Sequence, residues 1–424
     1  MKRFLIGIAC CILSLDVMSQ EVLMRHALEG RSLDALATLV VRFNDEQKGK
    51  ANARPRVVLQ GLAGVEDPRQ LPHMALLDAN DSRAFFASQP RFRPLAQVMA
   101  EAGEKLDSGR FLPQIADAAD DASGRLQALP IGMALPVLFY NKDAFRKAGL
   151  DPEAPPKTWL AVQKAAGDLY DAGFTCPLTS SRFNWIHLEN VASQHGEPIL
   201  VRGAGGKAHL NSMVHVKHIA LLSSWNKSLY FHYFGPGNEG DARFASGECA
   251  MLTGESSLYA ELARAKRFDF GVAGLPYYDD VYGATPYNVL PDGAALWVLA
   301  GHGKAEYRVV ARFASFLLRP ENQRDWVGAT GYLPMTPAAI EALKSAGVAP
   351  AAVLDAAQRR LSAPRVLAAR PKNGPWRDRM HEILDEEIIF VWKNTKPAKE
   401  ALDTAMLRSN VDLPAMGKGA GKAR

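Results

Sequence analysis

Few positions in this chain offer reactive chemistry. Gly254-Glu255-Ser256-Ser257 sets serine hydroxyls beside a carboxylate, but it lacks the second glycine of a G-x-S-x-G elbow, and no histidine is placed by sequence to serve it. Asp385-Glu386-Glu387 and Asp120-Asp121 are carboxylate runs. A glycosidase needs two carboxyls set about 5 to 10 Å apart in space, and solvated helix faces account for such runs more simply. Gly203-Ala204-Gly205-Gly206-Lys207 has the glycine density of a phosphate loop, yet no Ser or Thr follows the lysine and no apolar strand leads into it, so it reads as a surface turn. No C-x-x-C, H-E-x-x-H or clustered His/Cys spacing occurs, so neither a metal nor a cofactor is expected. Tyr332 is a binding candidate instead. It lies between Gly331 and the Leu333-Pro334 break, where an aromatic ring with a hydroxyl can face a cleft and both stack on and hydrogen-bond a polyol; the alternative is a loop aromatic packed on core.

The rest of the chain must supply a scaffold for such a site. At 424 residues, with 48% apolar and 22% charged residues, it is long enough for two or more domains and is neither disordered nor collagen-like. Its formal net charge of +5 is small and unclustered before the tail, which argues against a nucleic-acid partner. Lys2 and Arg3 precede an apolar run from Phe4 to Leu15, and Val17-Met18-Ser19 suits a signal peptidase, so a secretory signal cleaved near Ser19 or Gln20 is expected. Two of the four cysteines lie in that segment, and lipidation at Cys10 is the less favoured alternative to simple cleavage. Cys176 and Cys249 could pair in an oxidising compartment or stay as buried thiols.

Leu129 to Trp159 carries the densest structural information. Val137-Leu138-Phe139-Tyr140 reads as a strand buried on both faces. Asn141 is placed to N-cap a short helix that Gly149 ends, and Pro152, Pro155 and Pro156 hold the chain extended until Thr158 caps a second helix. Upstream, a strand over Glu21–Leu28, a helix over Ser32–Asn44 and strands at Arg56–Leu59 and Met74–Asp78 predict one α/β lobe. Downstream, Cys176–Thr179, Cys249–Thr253 and Phe270–Ala273 are strands of a second, with helices at Trp185–His195 and Val214–Ser224. Three crossings between the lobes, the first at Pro130 and the third at Gly331–Pro334, would leave a cleft at the hinge.

At these residues a resemblance becomes specific. Pro136 to Ala148 (PVLFYNKDAFRKA), with Gly149-Leu150-Asp151-Pro152 and Pro156-Lys157-Thr158-Trp159, resembles the hallmark of family 1 solute-binding proteins of ABC importers, in particular their glycerol-3-phosphate branch. The resemblance implies an α/β, two-lobed periplasmic-binding-protein fold of type II, its lobes joined by hinge crossings around a central cleft. It also implies a small polar solute, a membrane permease and ATPase as partners, a periplasmic monomer and no catalysis. The expected division is a signal over 1–19, a first lobe over 20–130 and 290–331, a second over 131–289 and 332–408, and a flexible tail over 409–424.

Carried over residue by residue, the resemblance places Tyr332, Gly293 and Trp185 at ligand-contacting positions and departs from the family elsewhere. An expected tryptophan is Arg182, a tyrosine is Ala63, and a glutamate falls near Asp78 or Ala79. A serine gives way to Met133 or Ala134, and another becomes Glu255 with Ser256 beside it. The phosphate-pairing arginine appears as His381, with Arg377 and Arg379 nearby, so Arg182 or Arg379 would have to supply the missing charge. Glu255 would repel an anion unless an arginine pairs it. The solute is therefore expected to be sn-glycerol-3-phosphate or a glycerophosphodiester, with a neutral sugar or polyol as the alternative. A secreted hydrolase using Glu255 and Asp385 is the competing class.

Overall fold

The computed structural model describes residues 21–48, 56–62, 71–77, 91–106, 111–119, 125–197, 199–201, 207–280, 286–347 and 375–417. The expected signal, Ala63, Asp78, Asp120-Asp121 and Gly203–Gly206 lie outside them. The first sheet contains β1 (Glu21–His26), β2 (Arg56–Gly61), β3 (Met74–Leu77), β4 (Phe92–Arg93) and β5 (Ala128–Ala134). The second contains β6 (Pro136–Asn141), β7 (Cys176–Ser180), β10 (Phe231–His232), β11 (Cys249–Glu255) and β12 (Phe270–Gly274), and a two-stranded ribbon is made by β8 (Leu200–Val201) and β9 (Lys207–Ala208). The chain then returns to the first sheet as β13 (Asp292–Leu299), giving an order β2-β1-β3-β13-β4 with β5 also on β13, beside a second sheet β10-β7-β11-β6-β12.

Helices on each sheet follow from apolar spacing. In α1 (Gly30–Gln47) Leu36, Leu39, Val40 and Phe43 are buried, and Phe43 meets Phe313 and Phe316 of α4 (Lys304–Leu317) edge-on at 5.0 and 5.5 Å. The second core packs Trp159, Trp225, Leu178 and Met251 with α2 (Met213–Lys227) and α7 (Pro375–Trp392). Each such large side chain, fully buried, contributes about 1.5–3 kcal/mol. Asn141 accepts from Ala144 N–H at 3.0 Å and Thr158 from Ala161 N–H at 3.2 Å, so both predicted caps form. Cys176 and Cys249 are register partners on adjacent parallel strands and are joined as a disulfide.

Three boundaries differ from expectation. The passage out of the first sheet falls at Leu135 rather than Pro130, because β5 stays paired with β13 through Ala134 opposite Asp292. Helix α6 (Pro337–Ala346) packs on α5 (Pro320–Thr330) of the first lobe, where Leu343 meets Val327 and the Met335 N–H donates to Gln323, so 332–408 does not belong as one piece to the second lobe. The tail from 409 is helical as far as Gly417 in α8 (Ala398–Gly417), where Ser409 is buried and Asn410 clamps the backbone of Ala208 from both sides.

The second core holds a buried histidine chain. Ser180 and Thr253 meet His187 Nε2 at 2.9 and 3.0 Å, His187 Nδ1 meets His218 Nε2 at 2.8 Å, and His218 Nδ1 meets the Tyr278 hydroxyl at 2.8 Å. Burial pushes His187 and His215 down to about 3 and His218 well below its usual value, with His209 adding to the effect at His215 and His187 at His218. Folded-state pKa values below the unfolded ones mean that this contribution is complete above about pH 6.5 and is lost as pH falls, by about 1.4 kcal/mol per pH unit per histidine. The Asp241 carboxyl, raised to about 7, opposes this with one proton. Tm should therefore fall steeply between pH 6.5 and 4.5; a Tm that holds level across that window would contradict the account.

Candidate functional site

A cavity of about 550 Å³ opens between the two lobes. The β1–α1 turn lines one wall with Glu29, Gly30, Arg31 and Ser32, the end of α5 adds Ala329, Thr330 and Tyr332, and the second lobe brings Asn238, Asp241, Glu255, Ser257, Glu261 and Arg264. Another cavity of about 580 Å³ beside Leu106, Phe111 and Leu318 lies within the first lobe and gathers none of the expected site residues.

Tyr332 reaches the cleft because Gly331 takes a left-handed conformation (φ 78°) that closes α5, and a Cβ there would stand 2.4 Å from the Ser257 carbonyl oxygen. Its ring stacks on Trp326 with centroids 6.0 Å apart. The following residue ties this loop to the first sheet, since the Leu333 N–H donates to the Met133 carbonyl at 2.8 Å. Met133 is opposite Gly293 across β5 and β13, and Gly293 has φ 140°. Thus Met133 is fully buried and works through its backbone, while Gly293 permits a close strand approach.

Behind Glu255 runs a ladder of alternating charges. Arg182 donates to Glu255 at 2.8 Å and to Asp292 at 3.0 Å, and its guanidinium lies 4.9 Å from the Trp185 ring centroid. Asp292 also accepts from Arg377 at 2.9 Å, Arg377 donates to both oxygens of Glu189 at 2.8 and 3.0 Å, and His381 meets Glu189 at 2.5 Å. Burial alone would raise the Glu189 carboxyl, but Arg377 and His381 hold it down at about 2. Burial would likewise lower the Arg377 guanidinium, and Asp292 and Glu189 keep it raised instead. Local structure aims these groups. Arg182 is itself left-handed (φ 48°), and the turn after it is a wide π-helical one, Asn184–Asn190, whose buried Glu189 points at α7.

The remaining expected residues fall elsewhere. Trp185 is buried and donates to the Leu290 carbonyl at 3.1 Å, backing the ladder. Ser256 is fully buried with its Oγ accepting the Leu135 N–H at 3.0 Å, and Ser257 takes the cleft position, donating to Glu255 at 2.5 Å. Arg379 faces outward to Glu382 at 2.8 Å, whereas Arg31 and Arg264 line the cavity and Arg182 and Arg377 stand behind it in the ladder. Asp385 accepts from Asn184 at 2.7 Å and is not among the cleft-lining residues, so Glu255 and Asp385 do not form a pair across it. Asp292, Glu189 and Asp241 escaped the sequence reading. Of these, Glu189 carried a usable signal, as the one acid in the run Asn184–Asn190, whose other residues are apolar, amide or histidine.

The sequence from 66 to 352 matches the profile of a family described as bacterial extracellular solute-binding protein. The chain belongs to that family. This solute-binding protein is 36% identical over 407 residues to the sn-glycerol-3-phosphate-binding periplasmic protein UgpB of Salmonella typhimurium, covering 91% of this chain and 90% of that one. Its likeness to UgpB of Yersinia enterocolitica is 35% over 414 residues, with 93% and 92% covered. In fold it is similar to the cyclic alpha-maltosyl-1,6-maltose binding protein of Arthrobacter globiformis (TM-score 0.74, 20% identity, 94% of this chain and 100% of that one). It is also similar to UgpB of Mycobacterium tuberculosis in complex with glycerophosphocholine (TM-score 0.71, 19% identity, 94% and 99% covered). The two-lobed type II architecture is thus that of solute-binding proteins of ABC importers. No helix among the described residues is long and apolar enough to cross a membrane.

Proposed function

We propose that this solute-binding protein captures a small glycerol-based solute, sn-glycerol-3-phosphate or a glycerophosphodiester, by closing its two lobes around it. It then passes the solute to a permease and ATPase, works as a periplasmic monomer freed from its signal near Ser19, and makes and breaks no bonds in its cargo. One lobe is built on the sheet of β1 and β13 and the other on that of β6 and β11, with hinge motion between them. The cleft carries the reading. It sets Tyr332, the Ser257 hydroxyl and the Glu255 carboxylate around a solute-sized space, with Arg182 behind. Arg31 and Arg264 line the cavity directly, and of the ladder arginines Arg182, with 11% of its side chain exposed against 1% for Arg377, is the one a phosphate could reach by displacing Glu255.

A neutral sugar or polyol is the second reading, favoured by Arg182 already being held by Glu255 and Asp292. Thermal-shift titration separates the two, because a solute at 100 times its Kd stabilises the folded state by about 2.7 kcal/mol. A shift with glycerol-3-phosphate or a glycerophosphodiester supports the first reading, and a shift with neutral sugars alone overturns it. Tyr332→Ala should weaken binding about tenfold, ~1.4 kcal/mol, by removing a stacking and hydrogen-bonding wall. Its Tm should change little; unfolding would mean that Tyr332 serves as core on Trp326.

A further inference from the structure

The acidic wall of the cleft contains a group that the charge ladder leaves aside. Asp241, on α3 (Glu239–Ala245), lines the cavity with Glu255, Glu261, Ser257 and Tyr332. Its Oδ1 is enclosed by the chain without a well-formed hydrogen bond, the Ser181 hydroxyl being the donor beside the carboxyl, whereas Glu255 is held by Arg182 and Ser257, and Glu189 by Arg377 and His381. A buried acceptor without a well-formed hydrogen bond is costly in the free protein, and a donor brought by a solute would remove that cost. Burial, reinforced by Glu255 and Glu261, pushes this carboxyl up to about 7 against the opposing effect of Ser181 and Arg182. It therefore takes up or gives up a proton readily near neutral pH, and a donor hydrogen from a solute would satisfy it in its ionised form.

We infer that Asp241 is a specificity-determining acceptor of the captured solute, receiving a hydrogen from a solute hydroxyl or primary ammonium. The inference rests on the solute-capture reading above and sharpens it. The solute must present its donor-bearing end to Asp241 and Glu255, and any phosphate must sit toward Arg31 and Arg264, which line the same cavity, or toward Arg182 behind Glu255.

The test uses the full mature chain and its Asp241→Asn and Asp241→Ala variants. Each is titrated calorimetrically with glycerol-3-phosphate, glycerophosphoethanolamine, glycerophosphocholine and a neutral polyol, and Tm is measured without solute. Asp241→Asn should lose about tenfold or more in affinity for the best-bound solute, since a site built to accept a solute hydrogen loses its match. Its solute-free Tm should hold or rise. A loss confined to glycerophosphoethanolamine would assign the hydrogen to an ammonium, and a loss shared with glycerol-3-phosphate or the polyol would assign it to a hydroxyl. Wild-type affinity in both variants, or a lower solute-free Tm in Asp241→Asn, would overturn the inference, the latter by showing that the carboxyl serves the fold. Failure of the parent chain to bind any of the four would instead sink the solute proposal, and the solute-free Tm comparison would still decide the role of Asp241.

Discussion

Arg377→Met is expected to destabilise the folded protein by about 3–5 kcal/mol, because it leaves the buried Glu189 and Asp292 carboxylates short of the cation they share. The arginine, Glu189 and Asp292 side chains are 1%, 1% and 0% exposed, so water cannot stand in for the missing guanidinium. Methionine preserves most of the volume, which makes the loss electrostatic rather than a cavity effect. The penalty should shrink when the carboxylates are neutralised as well. Arg377→Met combined with Glu189→Gln and Asp292→Asn should recover part of the loss, since a buried ion network replaced as a whole costs far less than one broken in the middle. Urea denaturation of the single and triple variants measures both. A single-variant loss below about 1 kcal/mol would mean that the ladder is not the anchor joining the π-helical turn, β13 and α7.

Gly293→Ala should be nearly as damaging and should also abolish solute binding. An added Cβ would stand 2.1 Å from the Gly132 carbonyl oxygen and 3.3 Å from Met133 Cα, and φ 140° is a conformation an L side chain rarely adopts. Relief requires β5 to move away from β13. Because the Met133 carbonyl holds the Leu333 N–H, that movement pulls on the loop carrying Tyr332. A loss of about 3 kcal/mol or more is expected from strain and backbone overlap together. Gly301→Ala is the control, since Gly301 has φ 103° but open space around its Cβ position, and it should cost only about 1 kcal/mol. Equal Tm values for the two variants would show that the strand contact does not matter.

Elements written in short stretches of sequence were legible in advance. The buried run Val137–Tyr140, the caps Asn141 and Thr158, and the amphipathic face of α1 depend only on neighbours within a turn or a strand. The resemblance supplied the two-lobed frame. Of the expected site residues Tyr332 and Glu255 line the cavity, whereas Gly293, expected at a ligand contact, is not among its lining residues and serves the close approach of β5 to β13. The ladder was hidden because Arg377 lies 188 positions from Glu189 and 85 from Asp292, and neither helical nor strand periodicity reports such pairings. One clue was present: Arg377 stands one turn before His381 on the same helix, so an arginine missing at His381 could be replaced from the preceding turn. The exposed Arg379 and the buried Ser256 show the converse, since neighbours in sequence to a site residue pointed away from the cleft.

Isothermal titration of the mature chain with glycerol-3-phosphate, a glycerophosphodiester and a neutral sugar, followed by recovery of the solute, tests the account most directly. Saturable binding of a glycerol-based solute at one per chain, weakened by Tyr332→Ala, with the solute recovered chemically unchanged, is the predicted result. Absence of binding to every glycerol-based solute, or recovery of hydrolysed product, would contradict it.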